Sequence, residues 1–315
     1  VICTVKNELL NVKLLITDLI NQTEVPSRVV IVDGGSNDGT YELLLDLVAN
    51  NDRFLVIQDV VDSEDSFSIG PIARGRNIAI EACSSDFILM ADAGCRYHEN
   101  WVRSYLNQIK KGGNLFAGGS KLSVECTDVD LAVASMLGFD LPSQGYSAKP
   151  TGTCRSLCVS RLLSNQIGGF SELSKTGEDT DFINRAVKLT QIIPVPEGAA
   201  IYTPNYGVSD ACERLIQYAK GDGAYFQSKK RLMRMFVRVL FQLISMIMIS
   251  MGFLIVPALY MSIEGFFAFR SGLSTLCMRS VRAIWYRYAI SLIAPYLYCG
   301  GYLYGLKGAF GNSNV

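Results

Sequence analysis

The chain has 315 residues, of which 49% are hydrophobic and only 18% are charged. Soluble proteins carry about 25% charged residues, so the composition favours a membrane-associated protein. Lysine plus arginine balances aspartate plus glutamate at 29 each, which argues against nucleic acid as a partner. One histidine and the absence of a Cys-X-X-Cys pair argue against a zinc site.

The first 120 residues alternate short apolar runs with helical patterns. Strands are predicted over residues 1–5, 28–32, 54–58 and 86–90, and helices over 8–20, 40–48 and 72–82. Strands that are apolar throughout are typical of a parallel sheet covered by helices on both faces. We therefore predict a Rossmann-like α/β fold with a mostly parallel sheet sandwiched by helices. The segment from 113 to 212 is less regular, and we expect an α+β half with loops over a cleft.

The last hundred residues change character. Residues 239–263 and 288–306 contain no charged side chain. About 20 apolar residues suffice to cross a bilayer, so we predict two transmembrane helices there, within a membrane-associated region over 229–315. The alternative is a pair of long buried helices in a soluble protein, although such helices usually keep a polar stripe.

Five cationic residues lie just before the first apolar run, at Lys229, Lys230, Arg231, Arg234 and Arg238. The positive-inside rule places this flank in the cytoplasm, and the cations are suited to anionic lipid headgroups. The segment between the runs carries Arg270, Arg279 and Arg282. A re-entrant or interfacial helix is therefore the alternative to a second span.

Two predicted strands each end in an aspartate followed by glycine. Asp33 precedes Gly34 and Gly35, and Asp92 precedes Ala93 and Gly94. Ligands of open α/β sheets bind at the carboxyl ends of the strands, and glycine lets the backbone approach them closely. A carboxylate there can accept hydrogen bonds from a base or ribose, or bind a hard divalent cation. Alone, each motif is equally compatible with a turn or a helix cap.

Two further motifs carry charged side chains. Glu178 and Asp179 follow Gly177 at the start of a predicted helix, where acids either complement the helix dipole or act as a general base. Arg74 and Arg76 offer guanidinium groups suited to phosphate or carboxylate, although a solvated helix start would look the same.

Taken together, these motifs resemble the inverting family 2 glycosyltransferases, which have the nucleotide-diphospho-sugar transferase fold. The resemblance runs from residue 1 to about 226. It is carried by Thr4-Val5-Lys6-Asn7-Glu8, Asp33-Gly34-Gly35-Ser36-Asn37-Asp38-Gly39-Thr40, Arg76-Asn77, Asp92-Ala93-Gly94, Gly168-Gly169-Phe170 and Glu178-Asp179. It implies a catalytic domain over 1–228, with a nucleotide-sugar-binding half (1–112) and an acceptor-side half (113–228).

The resemblance also implies roles for individual residues. Glu8, Asp33, Gly34 and Arg76 are expected to bind the nucleotide-diphospho-sugar donor. Asp92 is expected to bind the donor diphosphate together with Mg²⁺ or Mn²⁺. Asp179 is expected to be the catalytic base, with Glu178 beside it as a second catalytic residue.

The sequence departs from the family pattern in two places. Gly94 stands where many relatives carry a second metal-binding aspartate, so the metal is expected to be held weakly or by Asp92, water and phosphates. The Gln-X-X-Arg-Trp element of processive polymer synthases is absent, with residues 213–223 in its approximate place. Transfer of a single sugar is therefore expected.

The expected acceptor is a lipid-linked glycan or polysaccharide precursor, since a membrane anchor would concentrate the enzyme on it. Transfer to the phosphate of a polyprenyl carrier is the second reading. A sugar nucleotidylyltransferase shares the fold but would carry a Gly-rich basic loop near the N-terminus, which residues 4–8 lack. A catalytically silent scaffold is the third, and the Glu178-Asp179 pair argues against it.

Overall fold

The computed structural model describes residues 1–60, 70–137, 153–173, 176–203, 207–225, 229–254, 257–263, 265–266 and 281–311. Two compact units make up the chain. One comprises Val1–Ser123 with Tyr146–Thr203, and the other comprises Val124–Gly145 with Pro204–Val315. The predicted boundary at residue 228 differs from this division, because residues 124–137 and 207–225 belong with the C-terminal helices. Arg270 and Arg279 lie outside the described residues.

The first unit is built on a seven-stranded sheet. Its strands, in spatial order, are β3 (Phe54–Gln58), β2 (Val29–Asp33), β1 (Ile2–Val5), β4 (Phe87–Asp92), β8 (Leu157–Ser160), β6 (Leu115–Ala117) and β9 (Ile193–Pro194). The strands from β3 to β4 run parallel, while β8 runs antiparallel to both of its neighbours. Every residue of β2 is buried, as expected for a parallel strand covered on both faces. The predicted α/β sheet is confirmed.

Helices and a smaller sheet complete this unit. The helices are α1 (Leu9–Ile20), α2 (Thr40–Val48), α3 (Pro71–Glu81), α4 (Trp101–Ile109), α6 (Arg161–Gln166) and α7 (Glu178–Ala186). The smaller sheet has the order β5 (Cys95–Arg96), β10 (Ala200–Tyr202) and β7 (Ser120–Leu122). In α1, Val12, Leu15, Ile16 and Leu19 are buried, at the helical spacing that predicted this element.

The second unit is helical. It contains α5 (Asp128–Leu137), α8 (Val208–Ala224), α9 (Lys229–Ser250) and α10 (Val281–Gly311). The backbones of α8 and α10 touch at glycines: a Cβ on Gly223 would lie 2.1 Å from the Tyr302 carbonyl oxygen, and one on Gly305 would lie 2.0 Å from that of Lys220. Close packing of this kind requires small residues at the helix contact and is common between membrane helices.

The predicted span over residues 239–263 is interrupted. Helix α9 begins earlier than predicted, at Lys229, and ends at Ser250. Gly252 follows with a φ of 82°, and the Phe253 N–H donates to the Met248 carbonyl, a glycine-dependent helix stop. The second predicted run, 288–306, lies inside α10.

Helix α9 has the length and composition needed to cross a membrane. It is the one such helix in the described part of the chain. Only 6% of its most apolar 18-residue window is buried, whereas a core helix of a soluble protein would be mostly buried. A membrane association therefore rests on α9.

Candidate active site

Strand β1 brings the two strand-end aspartates to one edge of the sheet. Asp33 of β2 pairs with Val5, and Asp92 of β4 pairs with Thr4. Two strand spacings separate the Cα atoms of these aspartates, which is about 10 Å. This edge is the carboxyl end of the parallel strands, where α/β sheets bind their ligands.

The Asp33 carboxylate is fully buried and organises the loop that follows it. One oxygen accepts hydrogen bonds from the backbone N–H groups of Gly35 (3.0 Å) and Ser36 (2.9 Å), and the other accepts from the Ser36 hydroxyl (2.5 Å). Gly35 has a φ of 75°, which the turn requires and which glycine adopts without strain. Asp33 therefore shapes the loop, and its predicted contact with a nucleoside stays a prediction.

The same loop is tied to the start of α1. The Glu8 N–H donates to the Thr40 hydroxyl (2.9 Å), and the Leu9 N–H donates to the Asp38 carboxylate (3.2 Å). The half-buried Glu8 side chain accepts a hydrogen bond from the Asn11 amide (2.6 Å). Gly34 lies next to β1, where its N–H donates to the Val5 carbonyl. Glu8, Asp33 and Gly34 thus belong to one connected corner of the unit.

Asp92 is half-buried at the end of β4. One carboxylate oxygen accepts the Gly94 N–H at 3.0 Å. The Tyr97 hydroxyl accepts the Asp92 N–H at 2.7 Å, which fixes the backbone at this point. Burial raises the pKa of the Tyr97 phenol well above its ordinary value, so this hydroxyl stays protonated and available for hydrogen bonding.

Helix α3 crosses β1 closely enough to carry Arg76 into the interior. A Cβ on Gly75 would lie 2.8 Å from the Thr4 methyl, so only glycine fits at this crossing. The Arg76 guanidinium is buried, donates to Glu178 at 2.7 Å and lies 5.2 Å from the centre of the Phe170 ring. Arg76 thus has a carboxylate partner 102 residues away in sequence, and its predicted contact with the donor stays a prediction.

Arg74 is also engaged by a carboxylate. Its guanidinium makes three hydrogen bonds to Asp59, at 2.9 to 3.2 Å. The Asp59 N–H in turn donates to the Asp33 carbonyl at 2.7 Å. Arg74 therefore supports the end of β2.

Glu178 and Asp179 differ in their surroundings although they are adjacent. Helix α7 begins after Gly177, which has a φ of 86°. Glu178 is buried against Arg76; burial raises the pKa of its carboxyl, Arg76 lowers it, and Asp179 raises it further. Asp179 is half-buried, and one of its oxygens accepts the Thr180 N–H at 2.7 Å. Of the two carboxylates, Asp179 is the more accessible to a substrate.

The buried Cys154 thiol has a raised pKa, mainly because it is buried; Arg76 lowers the pKa, and the carboxylates of Asp179, Glu178 and Asp92 raise it further. Backbone contacts link the same elements: Asp92 pairs with Thr4, and α3, which carries Arg76, crosses β1 at Gly75 beside Thr4. Neither the Cys154 position nor the neighbouring Arg155 was singled out by sequence, because no motif marks them.

A divalent cation at the end of β4 would find one carboxylate ligand, that of Asp92. Among the described residues, no cluster of three His, Cys, Asp or Glu side chains has the arrangement of a metal site. Mg²⁺ commonly takes one or two protein carboxylates and completes its shell with water and substrate phosphates. A Cβ on Gly94 would lie 3.5 Å from the Asp92 carboxylate, so this glycine borders the carboxylate directly. Asp92 therefore fits such an ion bound largely through the phosphates.

Comparison with known proteins gives a family match for the first part of the chain. Residues 1–149 match the family model described as Glycosyl transferase family 2. No curated protein sequence matches the chain. The family match ends before Glu178 and Asp179, so the roles of these two residues remain predictions.

Two solved structures resemble the chain over 99% of its length. One is the mannosyltransferase PcManGT from Pyrobaculum calidifontis in complex with GDP-Man and Mn²⁺, with 14% identity, a TM-score of 0.50 and 86% of its own chain covered. The other is S. aureus TarS 1–349 in complex with UDP-GlcNAc, with 15% identity, a TM-score of 0.50 and 91% covered. These likenesses concern the fold. Residues 1–149 match a family 2 glycosyl transferase domain, and the enzyme activity that this match indicates is glycosyl transfer.

Proposed function

We propose that the enzyme transfers one sugar from a nucleotide-diphospho-sugar to an acceptor hydroxyl with inversion at the anomeric carbon. Asp179 is the base: it accepts the proton of the hydroxyl as that oxygen attacks from the face opposite the leaving nucleoside diphosphate. The supporting observation is a chain of contacts between Asp92 and Asp179: Asp92 pairs with Thr4 of β1, α3 crosses β1 at Gly75, and Arg76 of α3 binds Glu178, the neighbour of Asp179. A proton acceptor and a diphosphate-binding carboxylate on one centre are what a displacement in line requires.

Glu178 and Arg76 hold the base in place. Their buried 2.7 Å ion pair joins the start of α7 to α3. Because Glu178 is committed to Arg76, the catalytic assignment falls on Asp179, and Glu178 acts as a positioning residue.

The donor's nucleoside lies at the corner formed by Glu8, Asp33 and Gly34. We assign Asp33 an indirect role there, since its carboxylate oxygens already accept three hydrogen bonds from its own loop. The loop that Asp33 holds in shape would present its backbone and the nearby Glu8 to the base and ribose.

Asp92 would hold Mg²⁺ or Mn²⁺ through the donor diphosphate, and the cation would neutralise charge that develops on the leaving group. The Mn²⁺ recorded with PcManGT supports a divalent ion in proteins of this fold. The Gly94 N–H orients the carboxylate, and the Tyr97 hydroxyl holds the Asp92 backbone.

The acceptor is a lipid-linked glycan or polysaccharide precursor at the cytoplasmic face of a membrane. Support comes from α9, whose first turns carry the exposed cations Lys229, Lys230 and Arg234 and whose later turns are apolar. These cations would contact anionic headgroups, and anchoring would raise the effective concentration of a lipid-borne acceptor. The phosphate of a polyprenyl carrier is the rival acceptor.

A donor panel tests the proposal. Purified enzyme in detergent is given UDP- and GDP-sugars with Mn²⁺, and release of nucleoside diphosphate is followed with and without a polyprenyl-diphosphate-linked sugar or a polyprenyl phosphate. Release that depends on the lipid-linked sugar supports the proposal, and release that depends on polyprenyl phosphate supports the rival. If no donor in the panel is consumed with either acceptor, the proposed reaction is wrong.

A further inference from the structure

A cationic side chain lies in the turn next to Asp92. Arg155 precedes β8, which runs antiparallel to β4 with Met90 paired to Leu157. The Tyr97 hydroxyl joins the turn to β4, because it accepts the Asp92 N–H at 2.7 Å and donates to the Arg155 carbonyl at 2.8 Å. The turn that carries Arg155 is therefore fixed beside the end of β4.

The guanidinium of Arg155 is held over an aromatic ring. Its central carbon lies 4.3 Å from the centre of the Tyr202 ring, and one nitrogen lies 3.4 Å from the Thr153 hydroxyl. The edge of the Tyr202 ring is 3.6 Å from the point that a Cβ on Gly94 would occupy. The Tyr202 ring thus borders both the Arg155 cation and Gly94.

The charges at this point differ from those of a site with two metal-binding acids. Asp92 supplies one carboxylate, Gly94 supplies none, and Arg155 adds a positive charge. A planar guanidinium binds phosphate oxygens through two parallel hydrogen bonds, and a stacked one loses little freedom on binding.

We infer that Arg155 binds the diphosphate of the donor directly and supplies part of the positive charge that would otherwise come from the metal ion. The inference rests on the proposed function, because it takes a nucleotide-diphospho-sugar as the ligand. It adds a donor-binding residue that lies beyond the segment matched by the family model, and it predicts diphosphate binding that persists without metal.

Calorimetric binding in detergent with excess EDTA tests this. UDP, uridine, GDP and guanosine are the probes. For the base that binds, the diphosphate should bind the unmodified enzyme about 10- to 100-fold more tightly than the nucleoside, the range for charge-assisted hydrogen bonds. Arg155→Gln should remove most of this ratio and leave nucleoside affinity unchanged. Arg155→Lys should retain part of it, because the charge remains.

Arg103→Gln is the matched control, since Arg103 is exposed on α4 and its ion pair with Glu24 is long, at 3.7 Å. Thermal unfolding checks that the variants are folded, and Tyr202→Leu, which removes the stacking surface, should lower the ratio if Arg155→Gln is unstable. A diphosphate-to-nucleoside ratio that survives in both variants, or that is absent from the unmodified enzyme, would overturn the inference. Sugar transfer in the donor panel judges the proposed function separately, because it is measured with Mn²⁺ present.

Discussion

The end of β2 and the start of α7 each carry an aspartate that a sequence motif singles out, and the structure surrounds them differently. Asp33 is fully buried and its carboxylate oxygens accept three hydrogen bonds within four residues of chain. Asp179 is half-buried, and its one intrahelical backbone contact is the N–H of the next residue. The oxygens of the first carboxylate are engaged by its own loop, whereas the second carboxylate is partly exposed.

This difference separates acidic residues that stabilise a loop from acidic residues that can act on a substrate, although sequence motifs single out both kinds. A carboxylate whose oxygens are already occupied contributes to stability, and its loss should be visible in unfolding. The loss of a partly exposed carboxylate close to the active site should instead lower turnover. Glu178 lies between these cases, because its partner Arg76 comes from another element.

The largest effect is expected on turnover at Asp179. Asp179→Asn removes the proton acceptor while keeping size and helix position, so kcat should fall about 10²- to 10⁴-fold, the range for loss of a general base. Donor affinity should be unchanged. Steady-state kinetics with the donor identified by the panel provides the measurement.

Asp181→Asn is the control for this variant. Asp181 lies in the same helical turn but pairs with Arg185 at 2.8 Å, so its loss should cost stability slightly and leave kcat near the unmodified value. Turnover of Asp179→Asn comparable to that of Asp181→Asn would take Asp179 out of the catalytic role.

Stability should respond most at the Arg76–Glu178 pair. Arg76→Met leaves Glu178 buried without its partner, which should lower the free energy of unfolding by about 3–5 kcal/mol. The double variant Arg76→Met with Glu178→Leu should recover most of this loss, because no isolated charge remains. Urea unfolding compares the two. A single variant as stable as the double one would show that the pair is not a buried, coupled unit.

A smaller stability effect is expected at Asp33. Asp33→Asn places an amide donor where the Ser36 hydroxyl or a backbone N–H now donates, and should cost about 1.5–3 kcal/mol, the value of hydrogen bonds to a charged group. Asp46→Asn, on the exposed face of α2, should change unfolding little. If Asp33→Asn lost donor affinity with unfolding unchanged, the carboxylate would be a direct nucleoside ligand and the contrast with Asp179 would fail.

The sheet and the two strand-end acids were predictable because they follow from local pattern. Continuous apolar runs identified β2 and β4, and parallel pairing then placed Asp33 and Asp92 at one edge. Local sequence pattern does not determine which carboxylate oxygens accept hydrogen bonds within the folded protein. The Asp33 contacts depend on a turn at Gly35, and the Arg76 contact joins residues 102 positions apart.

The C-terminal region shows a second limit. Residues 239–263 lack charge, yet the helix stops at Ser250, because Gly252 adopts a left-handed conformation that hydropathy does not register. Helix α8 belongs with the C-terminal helices because Gly223 lets its backbone contact α10, a property of packing that sequence spacing alone did not reveal. Arg155 was missed for a similar reason, since only the Tyr97 hydroxyl, which contacts both backbones, joins its turn to Asp92.

The smallest effect is expected at Gly94, where a substitution should change the metal requirement of the enzyme. A Cβ at this position would meet the Asp92 carboxylate and the Tyr202 ring at ordinary contact distances of 3.5 and 3.6 Å, so Gly94→Asp is sterically allowed. A second carboxylate should lower the Mn²⁺ concentration for half-maximal activity roughly tenfold, because affinity for hard cations depends on ligand charge. In EDTA the same variant should bind nucleoside diphosphate more weakly, since an added carboxylate would oppose Arg155. Gly94→Ser, which adds size without charge, should show neither change.

An unchanged metal requirement in Gly94→Asp would mean that the cation, where it binds, does not reach the Asp92 edge of the sheet.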